Sequence, residues 1–344
     1  MYERPNPKTR RTEEILMKRI VILHTDVAPN AGIDELDCLM QAESVSEAAL
    51  SLGYEPVMLP FVMDFNKTIA KLRALGPDVV FNLVETFADR GSMIYFATAL
   101  LDFLQIPYTG CRTDAMFLTS NKPLAKQMLQ SAGIATPPWL TSEGIAIGHA
   151  DTDTYIVKPS WEDASVGLDD GAVLQTTNRE ILLNTLQNRK QILGMDCFAE
   201  AYIDGREFNI ALLSSGGDVQ ILPAAEILFQ NFPPEKLKFL DYRAKWVEDS
   251  FEYDNTVRSF DMGPHDTALI GTLRDIALAI WHLFGLRGYA RIDFRIDQQG
   301  NPFVLEINAN PCLSPDAGFA AALEQASIRY ADAIDTIIRG AIQA

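Results

Sequence analysis

Two short stretches carry polar residues at alternate positions. Arg291 and Asp293 lie in Arg-Ile-Asp-Phe, and Glu306 and Asn308 lie in Leu-Glu-Ile-Asn. In extended chain, residues i and i+2 share a face, so each pair points one way. The intervening Asp297-Gln-Gln-Gly-Asn301 is rich in turn formers, which predicts a hairpin. One face of that hairpin then holds two carboxylates, an amide oxygen and a guanidinium. Three hard oxygen ligands suit Mg²⁺, and an arginine beside them suits a phosphoryl group bridged to the metal. The bland alternative is a half-exposed strand pair with a cross-strand salt bridge. Against it stands Asn308-Ala-Asn-Pro311, which stops the strand where the polar groups sit; sites are built at such ends.

Other residues suit a nucleotide. Lys158 ends the apolar run Tyr155-Ile-Val and precedes Pro159 and the polar loop Ser160–Gly167, an arrangement that suits a phosphate grip. Lys122 opens a helix, where the dipole disfavours a cation and suggests another role. The bland reading, favoured for either lysine taken alone, is a solvated surface charge. Glu200 and Glu207 bracket Ala-Tyr-Ile-Asp-Gly-Arg, a strand, turn and strand. This is either a polar turn or a hinge whose backbone holds an adenine while a carboxylate binds ribose hydroxyls.

The elements that must position these residues follow from periodicity. Residues 19–117 alternate strand and helix: strands at Arg19–His24, Glu55–Leu59 and Asp78–Val84, helices at Asp34–Leu52, Asn66–Leu75 and Ser92–Leu104. That order predicts a parallel sheet with helices on both faces. No GxGxxG fingerprint follows a strand, so a dinucleotide-dependent oxidoreductase has little support. Next come a helix at Asn121–Ser131, a strand at Tyr155–Lys158, a helix at Asn178–Arg189, and strands at Cys197–Glu200 and Glu207–Leu213. Phe229–Tyr253, mixed in aromatics, prolines and charges, reads as a mobile flap. Helices at Thr267–Phe284 and Gly318–Arg339 flank the hairpin.

The chain has 344 residues, 48% hydrophobic and 22% charged, which suits a soluble globular protein of two or three domains. Its net charge of -17 argues against nucleic acid or an anionic membrane as partner. The four cysteines, Cys38, Cys111, Cys197 and Cys312, form no CxxC pair, which points to a reducing compartment. No apolar run reaches the ~18 residues of a membrane span. The polar, basic Met1–Lys18 lacks a signal core and reads as a tail, with Met17 an alternative start. A cytoplasmic location is expected.

Taken in order, the strings Phe81-Asn-Leu-Val-Glu85, Ile106-Pro-Tyr-Thr-Gly110, Asn121-Lys122, Lys158–Gly167, Tyr202–Phe208, Leu222-Pro-Ala-Ala-Glu226, Asp241-Tyr-Arg-Ala-Lys245 and the hairpin resemble an ATP-grasp ligase. Within that superfamily the chain is similar to the D-alanine–D-alanine ligases, from Arg19 to Phe319. The resemblance implies an α/β protein, α+β in its ATP-binding part: an ATP-grasp fold behind an N-terminal Rossmann-like domain. The units would be a tail 1–18, an N-terminal domain 19–118, a central subdomain 119–213 and a C-terminal subdomain 214–344. It implies that Lys122, Lys158 and Lys245 contact ATP phosphates under a loop containing Ser165. Glu200, assisted by main-chain groups of Ala201 and Ile203, would hold adenine, and Glu207 the ribose. Asp293, Glu306 and Asn308 would bind two Mg²⁺, or Mn²⁺, and Arg291 would support the transferring phosphoryl group. Small carboxylate and amine substrates would be joined through an acyl phosphate, and a homodimer is the assembly the family often forms.

Departures cluster where substrates bind. The family loop reads Glu-Gly-Ser-Ser; here it is Glu162-Asp-Ala-Ser165, and Ala164 removes a hydroxyl. Trp246 replaces a tyrosine, and the matching glutamate falls near Asp34 or Glu35. Cys312 stands where a glycine amide helps hold the oxyanion. Asp316 or Ala317 replaces a serine that binds the second substrate's carboxylate, and Glu85 replaces a histidine. These changes predict a carboxylate–amine ligase with substrates other than two D-alanines, Glu85, Asp34 and Asp316 favouring a cationic or amine-rich one. The alternatives are an authentic D-alanine–D-alanine ligase and a non-catalytic ATP-binding module; the intact lysines and metal ligands argue against the latter.

Overall fold

The computed structural model describes residues 18–28, 31–88, 90–148, 152–162, 165–215 and 217–343. The expected tail therefore lies outside the described residues up to Met17, as do Asp163 and Ala164 of the 160–167 loop. Strands β1 (Arg19–Thr25), β2 (Glu55–Phe61) and β3 (Val79–Leu83) form a parallel sheet ordered β2-β1-β3. The first strand is central and buried from Ile20 onward, which explains its unbroken apolar run. Helices α1 (Ile33–Ser51) and α2 (Phe65–Leu75) cross between these strands, and α3 (Tyr95–Leu104) follows a tight turn at Gly91–Met93. Asp64 caps α2 by accepting from the N–H groups of Asn66 and Lys67, and left-handed Gly76 ends it.

Helices α4 (Thr113–Ser120) and α5 (Lys122–Ser131) lead to an antiparallel sheet ordered β5-β4-β8-β6-β7. Its strands are β4 (Trp139–Thr141), β5 (Ala146–Ile147), β6 (Thr154–Pro159), β7 (Val173–Gln175) and β8 (Cys197–Ala201). Helix α6 (Arg179–Leu193) packs Leu182 and Leu186 on Leu140, Val157 and Ala199 of that sheet. Asn121 caps α5 through Leu124 N–H, so Lys122 stands at the first helical position.

The third sheet is antiparallel and ordered β12-β11-β9-β13-β14, with β10 also on β9. It comprises β9 (Gly205–Ser215), β10 (Asp218–Ile221), β11 (Ala225–Phe229), β12 (Thr256–Ser259), β13 (Tyr289–Asp297) and β14 (Pro302–Asn308). Two short helices, α7 (Tyr242–Trp246) and α8 (Phe251–Asn255), lie in the segment expected as a flap. There Glu252 accepts from Lys236 Nζ at 2.6 Å and Arg243 Nε at 3.0 Å, which gives the segment a defined internal structure. Helix α9 (Thr267–Leu283) covers the sheet.

The single helix expected over Gly318–Arg339 is two, α10 (Gly318–Gln325) and α11 (Tyr330–Ile342). Ser327 takes a left-handed conformation, φ 57°, and Ile328 N–H closes back on Leu323 O, which turns the chain. Helix α11 packs Ile334, Ile337 and Ile338 into one apolar cluster with Ile20 and Ile22 of β1 and Val45 of α1. Among the described residues β9 pairs with β10, β11 and β13, so we propose a boundary between the second and third units before Gly205, where the sequence predicts one after Leu213.

Candidate active site

Strand β13 runs antiparallel to β14 with Arg291 opposite Asn308 and Asp293 opposite Glu306. Cross-strand partners share a face, so the four side chains meet there. A register shift follows Asp293, where Phe294 pairs with Val304 and Leu305 is left over. Arg291 grips Asp293 with two bonds, Nε to Oδ1 at 2.8 Å and Nη2 to Oδ2 at 2.9 Å. Burial presses on the guanidinium's charge, but Asp293 and Glu306 hold its pKa above the usual arginine value. Lys122 Nζ lies 3.3 Å from Glu306 Oε1 and donates to Glu162 O at 2.7 Å. The donors fit a hard divalent cation: two carboxylates balanced by cations, with Asn308 Oδ1 fixed by Asn310 N–H at 3.1 Å. Among the described residues no group of three His, Cys, Asp or Glu side chains is arranged to hold a metal, so a cation at the hairpin would need the Asn308 amide as its third oxygen.

Lys158 and Glu200 are diagonal neighbours on one face, because Ile156 pairs with Glu200 and Lys158 with Phe198. They form an ion pair with each other. The second oxygen of Glu200 meets Lys126, a residue sequence reasoning missed. Lys126 lies one turn beyond Lys122 on α5, and that i, i+4 spacing was the available signal. Its ammonium also bonds Thr136 Oγ1 at 2.6 Å, and Thr136 donates to Val304 O of β14 at 2.7 Å. Burial opposes the charge on Glu200, yet Lys126 and Lys158 together keep its pKa below the usual carboxylate range.

Glu207 faces Arg295 across β9 and β13, and Arg295 Nη1 donates to Glu207 Oε2 at 2.9 Å. Arg295 was also missed, although it continues the alternation of Arg291 and Asp293. Its Nε donates to Ile203 O at 2.8 Å, so that hinge carbonyl has a partner. Ala201 N–H donates to Pro138 O at 2.8 Å. Ser165 Oγ donates to Leu240 O at 2.9 Å, which ties the 160–167 loop to the segment before α7. Lys245 on α7 stands among Arg291, Glu306, Asp293 and Glu207; burial, then Arg291, lowers its pKa. The two antiparallel sheets, α5 and α7 thus bring Lys122, Lys158, Glu200, Glu207, Lys245 and the hairpin into one connected set of charges.

Residues 128–339 match the family model described as D-ala D-ala ligase C-terminus. The chain belongs to the D-alanine–D-alanine ligase family. With that family comes the enzyme class, an ATP-dependent, ADP-forming carbon–nitrogen ligase. A D-alanine–D-alanine ligase of Moorella thermoacetica is 30% identical over 84% of this chain and 91% of the relative. That of Aquifex aeolicus is 28% identical over 87% and 94%. A D-alanine–D-alanine ligase of Bacillus anthracis, solved with ATP, superposes with a TM-score of 0.70 at 19% identity, covering 95% of this chain and 98% of that one, and shares the fold.

The ligase's candidate substrate residues divide. Glu35 turns to its own helix, where Oε2 accepts from Gly32 N–H at 2.9 Å. The side chain of Asp34 lies outside the described residues. Glu85 accepts from Gln41 Nε2 at 2.9 Å, and Gln41 in turn accepts from Leu313 N–H at 3.1 Å. One turn before Gln41, Asp37 accepts from Ser314 Oγ at 2.8 Å and from Cys312 Sγ at 3.1 Å. Burial, then Glu85 and Asp37, raise the Cys312 thiol well above its usual pKa. Trp246 ends α7, half-buried, one residue beyond Lys245. Asp316 is exposed, and its carbonyl accepts from Arg258 Nη1 at 3.4 Å. Arg258 and Arg291 both lie over Gly318, where a Cβ would come within 3.8 Å of each guanidinium. Sequence reasoning missed Arg258 and Asp37; neither stands within a recognised string.

Proposed function

We propose that this ligase activates a small carboxylic acid with ATP and joins it to an amine. The observation that carries the reading is the ring of Lys122, Lys245 and Arg291 around Asp293 and Glu306, beside a buried Lys158–Glu200 pair. A free carboxylate resists an amine because its oxygen is a poor leaving group. Attack of a carboxylate oxygen on the γ-phosphorus of ATP expels ADP and leaves an acyl phosphate. The amine nitrogen then attacks the acyl carbon, phosphate departs with the C–O bond electrons, and the nitrogen loses a proton. In this reading Lys122, Lys158 and Lys245 balance the phosphate charge, and Arg291 supports charge developing in transfer. Glu200 and Glu207 orient adenine and ribose in this reading. Asp293, Glu306 and Asn308 would hold Mg²⁺, which supplies electrostatic neutralisation of the β- and γ-phosphates when bound.

For substrates, Glu85 with Asp37 supports a donor acid bearing a cationic amine. Arg258 beside Arg291 supports an acceptor bearing an anion. Glu85 stands where the resemblance places a histidine, which supports a donor other than D-alanine. The relatives' names favour a second reading, in which both substrates are D-alanine. A screen of ADP release over paired amino acids and amines, with mass spectrometry of products, separates the two; D-alanyl-D-alanine formed at ordinary turnover overturns the altered-substrate reading. Hydroxylamine added without an acceptor should trap the acyl phosphate as a hydroxamate. ADP release with every donor but no hydroxamate overturns the acyl-phosphate step.

A further inference from the structure

Arg295 has no ligand or catalytic role in the reading above, yet it is only 3 % exposed and makes four hydrogen bonds from one guanidinium. Nη1 donates to Glu207 at 2.9 Å, Nε to Ile203 O at 2.8 Å, and Nη2 to Tyr202 Oη at 3.1 Å and to Lys238 O. The rings of Tyr202 and Phe229 lie 5.4 Å and 5.8 Å from its centre, so the fork is held in place by aromatic faces. Its partners belong to three segments: the β8–β9 hinge, β9 itself, and the stretch that leads to α7. Lys238 stands two residues before Leu240, whose carbonyl accepts from Ser165 Oγ. Leu168 O accepts from Tyr242 N–H, and Asp241 caps α7 through Ala244 N–H. A continuous chain of bonds therefore runs from Glu207 through Arg295 to Lys238, and from there to Ser165 and Lys245.

We infer that Arg295 is a positioning residue that fixes Glu207 for the ribose hydroxyls and ties that recognition to the 238–245 segment carrying Lys245. The inference rests on the proposed ATP-dependent reading. A lysine cannot replace the fork, because one ammonium does not reach hinge, carboxylate and segment in one plane. Loss of Arg295 frees Glu207 to turn away, and the ribose is then read poorly while phosphate contacts persist.

The test compares ATP with 2′-deoxyATP in the full-length protein, for wild type, R295M, R295K, E207Q and R295M/E207Q. Wild type should prefer ATP by about tenfold or more in kcat/KM, the effect of losing a hydrogen bond to a charged group. R295M and E207Q should each bring the preference within threefold, with R295K intermediate. The double variant should lose no more than either single, because both act through one contact. If R295M does not fold, the double variant, which removes both buried charges, is read instead. Chymotrypsin cleavage within 229–253 gives a second readout: MgATP should slow it in wild type and not in R295M or the double variant. An unchanged ATP preference in R295M, or losses that multiply in the double variant, overturns the inference. Wild type that neither binds nor turns over ATP sinks the ligase reading instead.

Discussion

Lys126→Met is expected to weaken MgATP binding far more than adenosine binding. Glu200 is 3% exposed in its side chain and shared by two lysines, Lys126 and Lys158. If Lys158 leaves to meet an ATP phosphate, as proposed, Lys126 remains and the carboxylate stays paired. Without Lys126, the same movement strands a buried charge, which costs about 3–5 kcal/mol in comparable sites. Relaxation recovers part of that, so the low end is the working figure, about a hundredfold in affinity. Adenosine, which has no phosphate to draw Lys158 away, should lose much less. Isothermal titration of both ligands into wild type and K126M measures the difference. The double variant K126M/E200Q removes the stranded charge and should recover much of the ATP affinity lost in K126M. Wild-type ATP affinity in K126M, within threefold, would falsify the proposed exchange of partners.

Asp293→Ala and Glu306→Ala should each abolish ADP release while circular dichroism stays native; retained turnover undoes the metal assignment. Glu252, held by Lys236 and Arg243 despite burial, has its pKa lowered to about 2. A depressed carboxylate stabilises above its unfolded pKa, about 4.3, and loses that contribution as pH falls towards 2. The 229–253 segment should therefore become protease-sensitive between pH 4 and 2, and E252Q should make it so at pH 7, with the acid dependence gone. Gly91→Ala places a Cβ 2.6 Å from Trp161 O and 2.8 Å from Glu162 Oε2, so it should cost about 1–3 kcal/mol in unfolding experiments and raise KM for ATP by loosening the contact of Lys122 with Glu162 O. Burial pushes the Cys111 thiol up to about 12, and alkylation at pH 8 should be slow there until denaturant is added.

The hairpin was legible in part: a strand's period of two sets Arg291 with Asp293 and Glu306 with Asn308, but the bulge at Leu305, which no residue type announces, is what turns the second pair onto the face of the first. The same rule reached Arg295, but an arginine among ligand carboxylates reads as a counter-ion until its partners are known. Lys126 was hidden for a different reason. A lysine on a helix is normally solvated, and only the tertiary meeting of α5 with β8 reveals Glu200 beside it. Glu35 looked like a site residue from position alone, whereas its carboxylate reaches back to Gly32 N–H, a local competition that spacing does not resolve. The break between α10 and α11 carries no glycine or proline; Ser327 in a left-handed turn does the work, and composition is silent on that. The short helix α4 escaped notice because eight residues give too little periodicity.

Helix α11 and strand β1 share one apolar cluster, and Tyr54 Oη donates to Asp335 Oδ1 at 2.7 Å across the same contact. During synthesis the first strand leaves the ribosome long before the helix that covers it has been made. Its exposed apolar face must wait for almost the whole of this sequence, at about 5–20 residues per second. The parallel sheet is thus written long before the helix that seals it. A truncation that removes α11 should strand it as a sticky intermediate for chaperones to hold.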